Sequence, residues 1–194
     1  MYHDLLRNAS FWSFLADVDR DLAETARQQA CPCGGRLHRA NYPRKPRGGP
    51  SDLPAAYLSR LSFCCQRDGC RKRVTPPSVR FLGRRVYLGA VVILVAAMRQ
   101  GPSPRRVREL SKLFDADRRT INRWRAFWRE HFPLTKFWKV ARGRLVPTVK
   151  VDVLPQSLLE AFVGNDRDHD GWKRLLLFLS PITITGGLTI EGSR

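Results

Sequence analysis

The sequence has no apolar run longer than thirteen residues, Val86 to Met98, and that run is flanked by Arg84, Arg85 and Arg99. A bilayer-spanning helix needs about 20 apolar residues, so this stretch reads as a buried core helix and no membrane partner is expected. The first residues, MYHDLLR, lack a basic segment followed by an apolar one, so no secretory signal is expected either. Internal repeats are missing too, which sets solenoids and propellers aside. Acidic residues are scarce: 17 Asp plus Glu stand against 35 Lys plus Arg, a net charge of +18 over 194 residues. That balance departs from an ordinary enzyme surface and favours a polyanionic partner. Disorder is argued against by a hydrophobic content of 43%, enough for a packed core.

The shortage of acid is local. Residues 1–30 carry a net charge of −2 and residues 151–194 also −2, while residues 31–150 hold 28 basic and 6 acidic groups, net +22. Most of that excess is Arg, whose planar fork suits phosphates and guanine edges. Nucleic acid is therefore the expected partner.

Four segments are expected along the chain. Residues 1–30 contain an amphipathic helix from Ser10, its cap, to Ala30, with Phe11, Phe14, Leu15, Val18, Leu22 and Ala26 at helical spacing. Phe11 and Trp12 add aromatic surface that should pack on the rest of the core. Residues 31–84 are rich in Cys, Pro, Gly and Arg with short strand-like pieces. Within them Tyr42 to Pro54 reads as a loop, and its Arg44, Lys45 and Arg47 suit phosphate contacts. Residues 85–133 read as three helices. Residues 134–194 form a looser tail, with helices near Gln156–Val163 and Trp172–Leu179 and a β-prone end at Ile182–Ile190. Beyond Ser180 no core contribution is expected.

Five cysteines are present, in the pattern Cys31-Pro-Cys33-Gly-Gly, then Cys64-Cys65, then Cys70. In a reducing cytoplasm they point to metal rather than disulfides. A tetrahedral thiolate site needs two pairs, each on a tight turn that aims its sulfurs at one point. Pro32 and Gly34-Gly35 supply one turn; Gln66 to Gly69 supply the other. Cys64 and Cys65 compete for the third place. Strand alternation puts Cys65 on one face with Phe63 and turns Cys64 away, which favours Cys65. His38 is a more distant substitute. A four-cysteine site leaves no position for water, so the Zn2+ expected there is structural, stapling a segment poor in apolar residues.

The three helices have the spacing of a helix-turn-helix unit. Ser103-Pro104 is an N-cap followed by Pro at the first helical position. Val107, Leu110 and Phe114 line one face. Asp115-Ala116-Asp117 makes the turn, with Asp115 where positive φ is wanted and Asp117 as cap. Ser111 is the small residue at the crossing. Ile121, Trp124 and Trp128 line the next helix inwardly, and Tyr87 to Met98 forms the preceding one. The second helix then presents Arg118, Arg119, Asn122 and Arg123 outward, suited to guanine and adenine edges in the major groove. Arg125 and Arg129 fall towards phosphates or solvent.

The segments CPCGG, Cys64-Cys65 through Cys70 with the following Arg-Lys-Arg-Val-Thr, and RRTINRWRAFWREHF together resemble the zinc-ribbon plus helix-turn-helix DNA-binding region of bacterial insertion-sequence transposases and related small mobile-element proteins. The resemblance covers roughly residues 31–132. It implies Cys31, Cys33, Cys65 and Cys70 as metal ligands and Arg118, Arg119, Asn122 and Arg123 as base-reading residues. The first knuckle is one residue shorter than the usual C-P-x-C. Such transposases continue into a nuclease domain with three separated carboxylates. Here about sixty residues follow, with Asp152, Glu160, Asp166, Asp168, Asp170 and Glu191. Asp166 to Asp170 lacks the oxygen spacing and terminal Glu of a calcium loop. No catalytic constellation is visible.

The fold expected is mainly α with a small β zinc ribbon: N-terminal helix, zinc ribbon, trihelical helix-turn-helix, short helical tail. The function expected is sequence-specific binding of double-stranded DNA in the cytoplasm, at the nucleoid, as an accessory to a separate transposase. The alternatives are a catalytic transposase or nuclease fragment, and an RNA-binding zinc-ribbon protein that would use exposed aromatics such as Trp138. The oligomeric state is left open.

Overall fold

The structure, a computed structural model, describes residues 3–82, 87–98, 103–145, 148–164 and 169–184. It is mainly helical with small antiparallel sheets. A short helix α1 (His3–Leu6) leads into α2 (Ala9–Gln28). Asn8, not Ser10, caps α2: its Oδ1 accepts from the Ser10 backbone N–H at 2.9 Å and from the Ser10 hydroxyl at 2.7 Å. Ser10 is already the second residue of the helix, so it receives the cap instead of supplying it. Phe11 and Trp12 are buried, and the Trp12 indole N–H donates to the Leu6 carbonyl at 2.9 Å.

The cysteine-rich part has five short strands: β1 (Leu37–Arg39), β2 (Tyr42–Pro43), β3 (Ser59–Arg60), β4 (Phe63–Cys65) and β5 (Arg73–Val74). β4 lies between β1 and β5, with Leu37 opposite Cys65 and Cys64 opposite Arg73. β2 pairs with β3, so Tyr42 and Pro43 are strand and not loop. Pro43 lacks an N–H, which confines it to such an edge.

Among the described residues six α-helices follow: α3 (Gly89–Ala96), α4 (Pro104–Phe114), α5 (Arg118–Ala126), α6 (Lys136–Ala141), α7 (Gln156–Phe162) and α8 (His169–Leu179). All eight residues of α3 are buried, as an all-round apolar run requires. It packs against α5, α7 and α8. It is shorter than Tyr87–Met98: Tyr87 lies before the helix, and Ala97 is its C-cap. After Ala126 the helix does not continue as α to Phe132. It widens into a π turn at Phe127–His131 and tightens into a 3₁₀ turn at Phe132–Leu134. The widening turns Trp128, Phe132 and Trp138 into one stack, with centroids 4.6 and 5.2 Å apart. Trp138 is 1% exposed, so it is a core residue and not a surface stacking platform. The chain past Ser180 also joins the core: Ile182 is fully buried within a 3₁₀ turn, and Thr183 is buried beside it. The remainder of the β-prone end, the acidic Asp166 and Asp168, Glu191, and the arginines Arg84, Arg85 and Arg99 lie outside the described residues. Among the described residues no helix is long and apolar enough to cross a membrane.

One buried ion pair joins these parts. Asp19, on the inner face of α2, accepts from Arg80 Nε, the Ser78 hydroxyl and the Val79 backbone N–H, each at 2.6 Å. Arg80 also donates to the Ala56 carbonyl at 2.5 Å and the Ser59 carbonyl at 3.3 Å, and lies over the Tyr57 and Phe81 rings. The Ser78 backbone N–H donates to the Thr183 hydroxyl at 2.9 Å. N-terminal helix, strand region, linker and C-terminal turn thus meet around one ion pair. Removing one partner of a buried pair leaves an uncompensated charge, typically at a cost of about 3–5 kcal/mol. Asp19→Ala is expected to lower the unfolding free energy by that order in urea titration. Adding Arg80→Met to it should restore part of the loss.

Candidate metal centre and nucleic-acid interface

Cys31, Cys33, Cys65 and Cys70 bring their sulfurs within 4.8 Å of one another, close enough to hold a metal ion. Cys31 and Cys70 are 3.8 Å apart and Cys33 and Cys65 3.5 Å. A tetrahedron with metal–sulfur bonds of about 2.3 Å has edges of about 3.8 Å, so the spacing suits a single ion. Cys64 turns away, its sulfur 3.3 Å from the Arg71 carbonyl, and His38 stands beside it in register on β1, outside the cluster. Phe63 and Cys65 are buried on one face of β4, as strand alternation demands.

The turns explain the aim of the sulfurs. In the first, the Gly34 N–H donates to the Cys31 carbonyl at 2.7 Å and the Cys31 N–H to the Gly35 carbonyl at 3.1 Å. Gly35 is required by space: a Cβ there would sit 2.6 Å from Cys65 Sγ and 3.3 Å from Cys33 Sγ. In the second, the Cys70 N–H donates to the Arg67 carbonyl at 3.1 Å. Arg67 clasps both turns. Its backbone N–H points at Cys65 Sγ (3.4 Å) and its guanidinium donates to the Cys33 carbonyl (2.6 Å). Spacing alone gave no hint of this arginine.

The thiols are unequal. The Gly35 backbone N–H, helped by the neighbouring sulfurs, pulls Cys33 down to about 6. The Arg67 backbone N–H favours the Cys65 thiolate, but burial and the three surrounding sulfurs outweigh it and push Cys65 up to about 12. A cation at the centre would satisfy four sulfurs that otherwise compete for protons. A small second core of Ala23, Leu37 and Phe63 with Cys31 and Cys65 surrounds the site.

The second feature is the exposed side of α5. Asp115 takes a left-handed conformation (φ +47°) after α4, and Asp117 caps α5 by accepting from the Thr120 N–H at 2.6 Å. Ser111 does more than leave room. Its hydroxyl donates to the Ala116 carbonyl at 2.8 Å and ties the turn to α4. Leu110, Phe114, Ile121 and Trp124 are buried, which rolls Arg118, Arg119, Asn122 and Arg123 to solvent. With Ala126 these four line an open groove of about 530 Å³. Arg123 is steadied by the Thr120 hydroxyl at 2.9 Å and the Tyr87 hydroxyl at 3.3 Å. Arg125 is half-buried, while Arg129 is exposed.

Tyr87 links this face to the loop after β2. Its ring meets Trp124 edge-on at 5.3 Å, and its backbone bridges to Arg47. Gly48, at φ +73°, lets the loop lie against Trp124, since a Cβ there would come within 3.0 Å of the indole. Exposed Arg47 is thereby held beside α5. Lys45 is exposed two residues away, and Arg44 is half-buried over the Tyr42 ring at 4.9 Å. No family of proteins, curated protein or solved structure compared with the chain matches it.

Two outcomes are expected. Elemental analysis of protein refolded with Zn2+ should give one metal per chain for wild type and Cys64→Ser, but a loss for Cys65→Ser and weaker retention against a chelator for Gly35→Ala. The second concerns the α5 cap. The Thr120 backbone N–H, with its hydroxyl and then Arg123 and Arg119, holds the Asp117 carboxyl below its ordinary range. A depressed native value gives stability that is present above the ordinary carboxylate pKa of about 3.9 and is lost as pH falls through the native value. Thermal melts of wild type and Asp117→Asn should therefore differ most above about pH 4 and converge in stronger acid.

Proposed function

We propose that this protein binds double-stranded DNA through a helix-turn-helix, with α5 as its reading helix, braced by a structural zinc ribbon that holds Zn2+ on Cys31, Cys33, Cys65 and Cys70. One observation carries the reading: Arg118, Arg119, Asn122 and Arg123 share one open groove on a capped helix, with no carboxylate in its lining. Arg suits guanine bidentately and Asn suits adenine, and an α-helix fits the major groove. Arg47 and Lys45, held beside α5 by the Tyr87 bridge, are placed to contact the phosphates that fix register. The mobile-element setting, an accessory acting with a separate transposase at the nucleoid, rests on the resemblance of residues 31–132. RNA binding loses its particular support, because Trp138 is buried. A nuclease reading gains none: among the described residues, the cysteines are the one cluster of metal-ligating side chains.

The test is selection of a preferred site from random duplexes, followed by fluorescence anisotropy on that site. Arg119→Ala and Arg123→Ala should each weaken binding about 5- to 100-fold, the range for losing one base contact of about 1–3 kcal/mol. Their melting temperatures should stay unchanged. Arg47→Ala should weaken all duplexes alike and flatten the salt dependence. If no sequence is enriched, or the two α5 variants bind the selected site as wild type does, the reading of α5 is wrong.

A further inference from the structure

The four polar side chains that line the α5 groove are not equally free. Among the described residues, Arg118, Arg119 and Asn122 make no side-chain hydrogen bond, whereas Arg123 is held at two points. Both hold the same atom. Nη2 of Arg123 donates to the Thr120 hydroxyl at 2.9 Å and to the Tyr87 hydroxyl at 3.3 Å. Thr120 lies one turn back on α5 itself. Tyr87 belongs to the segment before α3, so a residue from outside the helix reaches its exposed face.

The Tyr87 hydroxyl is a fixed point. Its ring meets Trp124 edge-on, and Trp124 is 5% exposed. The Tyr87 carbonyl accepts from the Leu82 N–H at 3.0 Å, and its backbone bridges to Arg47. Gly48 lies against the ring, where an added Cβ would stand 3.7 Å from Tyr87 Cδ1. The core beneath α5 therefore sets the place of the hydroxyl, and exposed Arg123 is drawn to it.

Which atom is held decides what Arg123 can read. A guanidinium carries five N–H donors, one on Nε and two each on Nη1 and Nη2. It forks onto guanine O6 and N7 in two ways, pairing Nη2 with Nε or Nη2 with Nη1. Both forks require a hydrogen of Nη2, and two hydroxyls already accept from that atom. Single donors on Nε and Nη1 remain. One donor aimed at N7 meets the same acceptor on guanine and adenine. Only a second donor, on O6, tells them apart, because adenine carries a donor of its own at that place.

We propose that Tyr87 is a positioning residue that sets base specificity at one position of the DNA site: it holds Nη2 of Arg123, restricts that arginine to one-donor contacts, and makes the protein accept either purine there. The proposal rests on the reading of α5 as the helix that enters the major groove. It divides the work on that helix. Arg118 and Arg119, with both forks open, select guanine, and Arg123 anchors on a purine of either kind.

The test repeats the selection from random duplexes with wild type, Tyr87→Phe, Arg123→Ala and the double variant. Affinities are then measured on the selected site with guanine or adenine at the position that loses its purine preference in Arg123→Ala. Phe keeps the ring against Trp124 and removes only the hydroxyl, which frees one hydrogen of Nη2. Wild type is expected to bind the guanine and adenine sites within about 2-fold of each other, and Tyr87→Phe to favour guanine by about 5-fold or more, the lower end for one bidentate pair. Adding Arg123→Ala should abolish that gain. A loss of packing alone would weaken all duplexes together and raise no ratio. A guanine preference of about 5-fold or more already present in wild type, base preferences unchanged by Tyr87→Phe, or no position that responds to Arg123→Ala overturns the proposal. Arg119→Ala reports on α5 separately. If it weakens binding while Tyr87→Phe changes no preference, α5 stands as the reading helix and only the role of Tyr87 falls. If neither Arg119→Ala nor Arg123→Ala affects the selected site, both fall.

Discussion

Asp19 and Arg80 hold the rest of the molecule in place. A charge pair with side chains 0% and 2% exposed is tolerated only when its remaining donors and acceptors are met, since desolvating two ions costs several kcal/mol each. Here they are met from four directions: Ser78 and Val79 on the carboxylate, Ala56 and Ser59 on the guanidinium. The partners come from two stretches, Ser78–Val79 and Ala56–Ser59, so satisfying the pair requires α2, the turn leading into β3 and the linker before α3 to arrive together. Thr183 closes the arrangement through Ser78. A hydrophobic contact would permit sliding; this network fixes how α2, the turn leading into β3 and the linker before α3 meet.

The metal corner depends on that arrangement in one direction and supports it in the other. Its own apolar cluster is small, and Ala23 of α2 is one of its members. A core of that size does not hold strands of two and three residues by itself. An ion on four sulfurs supplies the missing constraint, and Arg67 couples the two turns that present them. At the other end of the same region, Gly48 and Arg47 lie against Trp124 and Tyr87. The strands therefore stand between a metal centre and the base of α5, and fix a basic loop at a set distance from the helix groove.

Legibility in the sequence followed the range of the interaction. Local geometry could be read: the left-handed Asp115, the Asp117 cap, and Cys65 over Cys64 by alternation all involve neighbours within a few residues. The four sulfurs were legible because cysteine is rare and its turns carry Pro and Gly. Asp19 was not, since an acidic residue on an amphipathic helix reads as solvated until an arginine 61 positions later faces it. Trp138 and Ile182 were missed for another reason: each sits in or beside a short turn, and such a segment gives no periodicity to mark an inner face. The shift of the α2 cap to Asn8 reflects a choice between polar residues two positions apart that propensity alone barely separates.

Charge in the basic middle is organised by what its few acids are doing. Of the six acidic groups in residues 31–150, Glu109 pairs with Arg105 and Arg106 on α4, Asp68 pairs with Arg71, and Asp117 is held at the α5 cap. Each is engaged by a group three or four residues away in its own helix or turn. None lines the α5 groove. Neutralisation is therefore concentrated where helices and turns need it, and the groove keeps its positive potential. A positive field of that kind reaches beyond contact range and weakens within a Debye length of about 8 Å at physiological salt. The acidic ends do not cancel it, because each carries only a net −2 against the +22 of the middle.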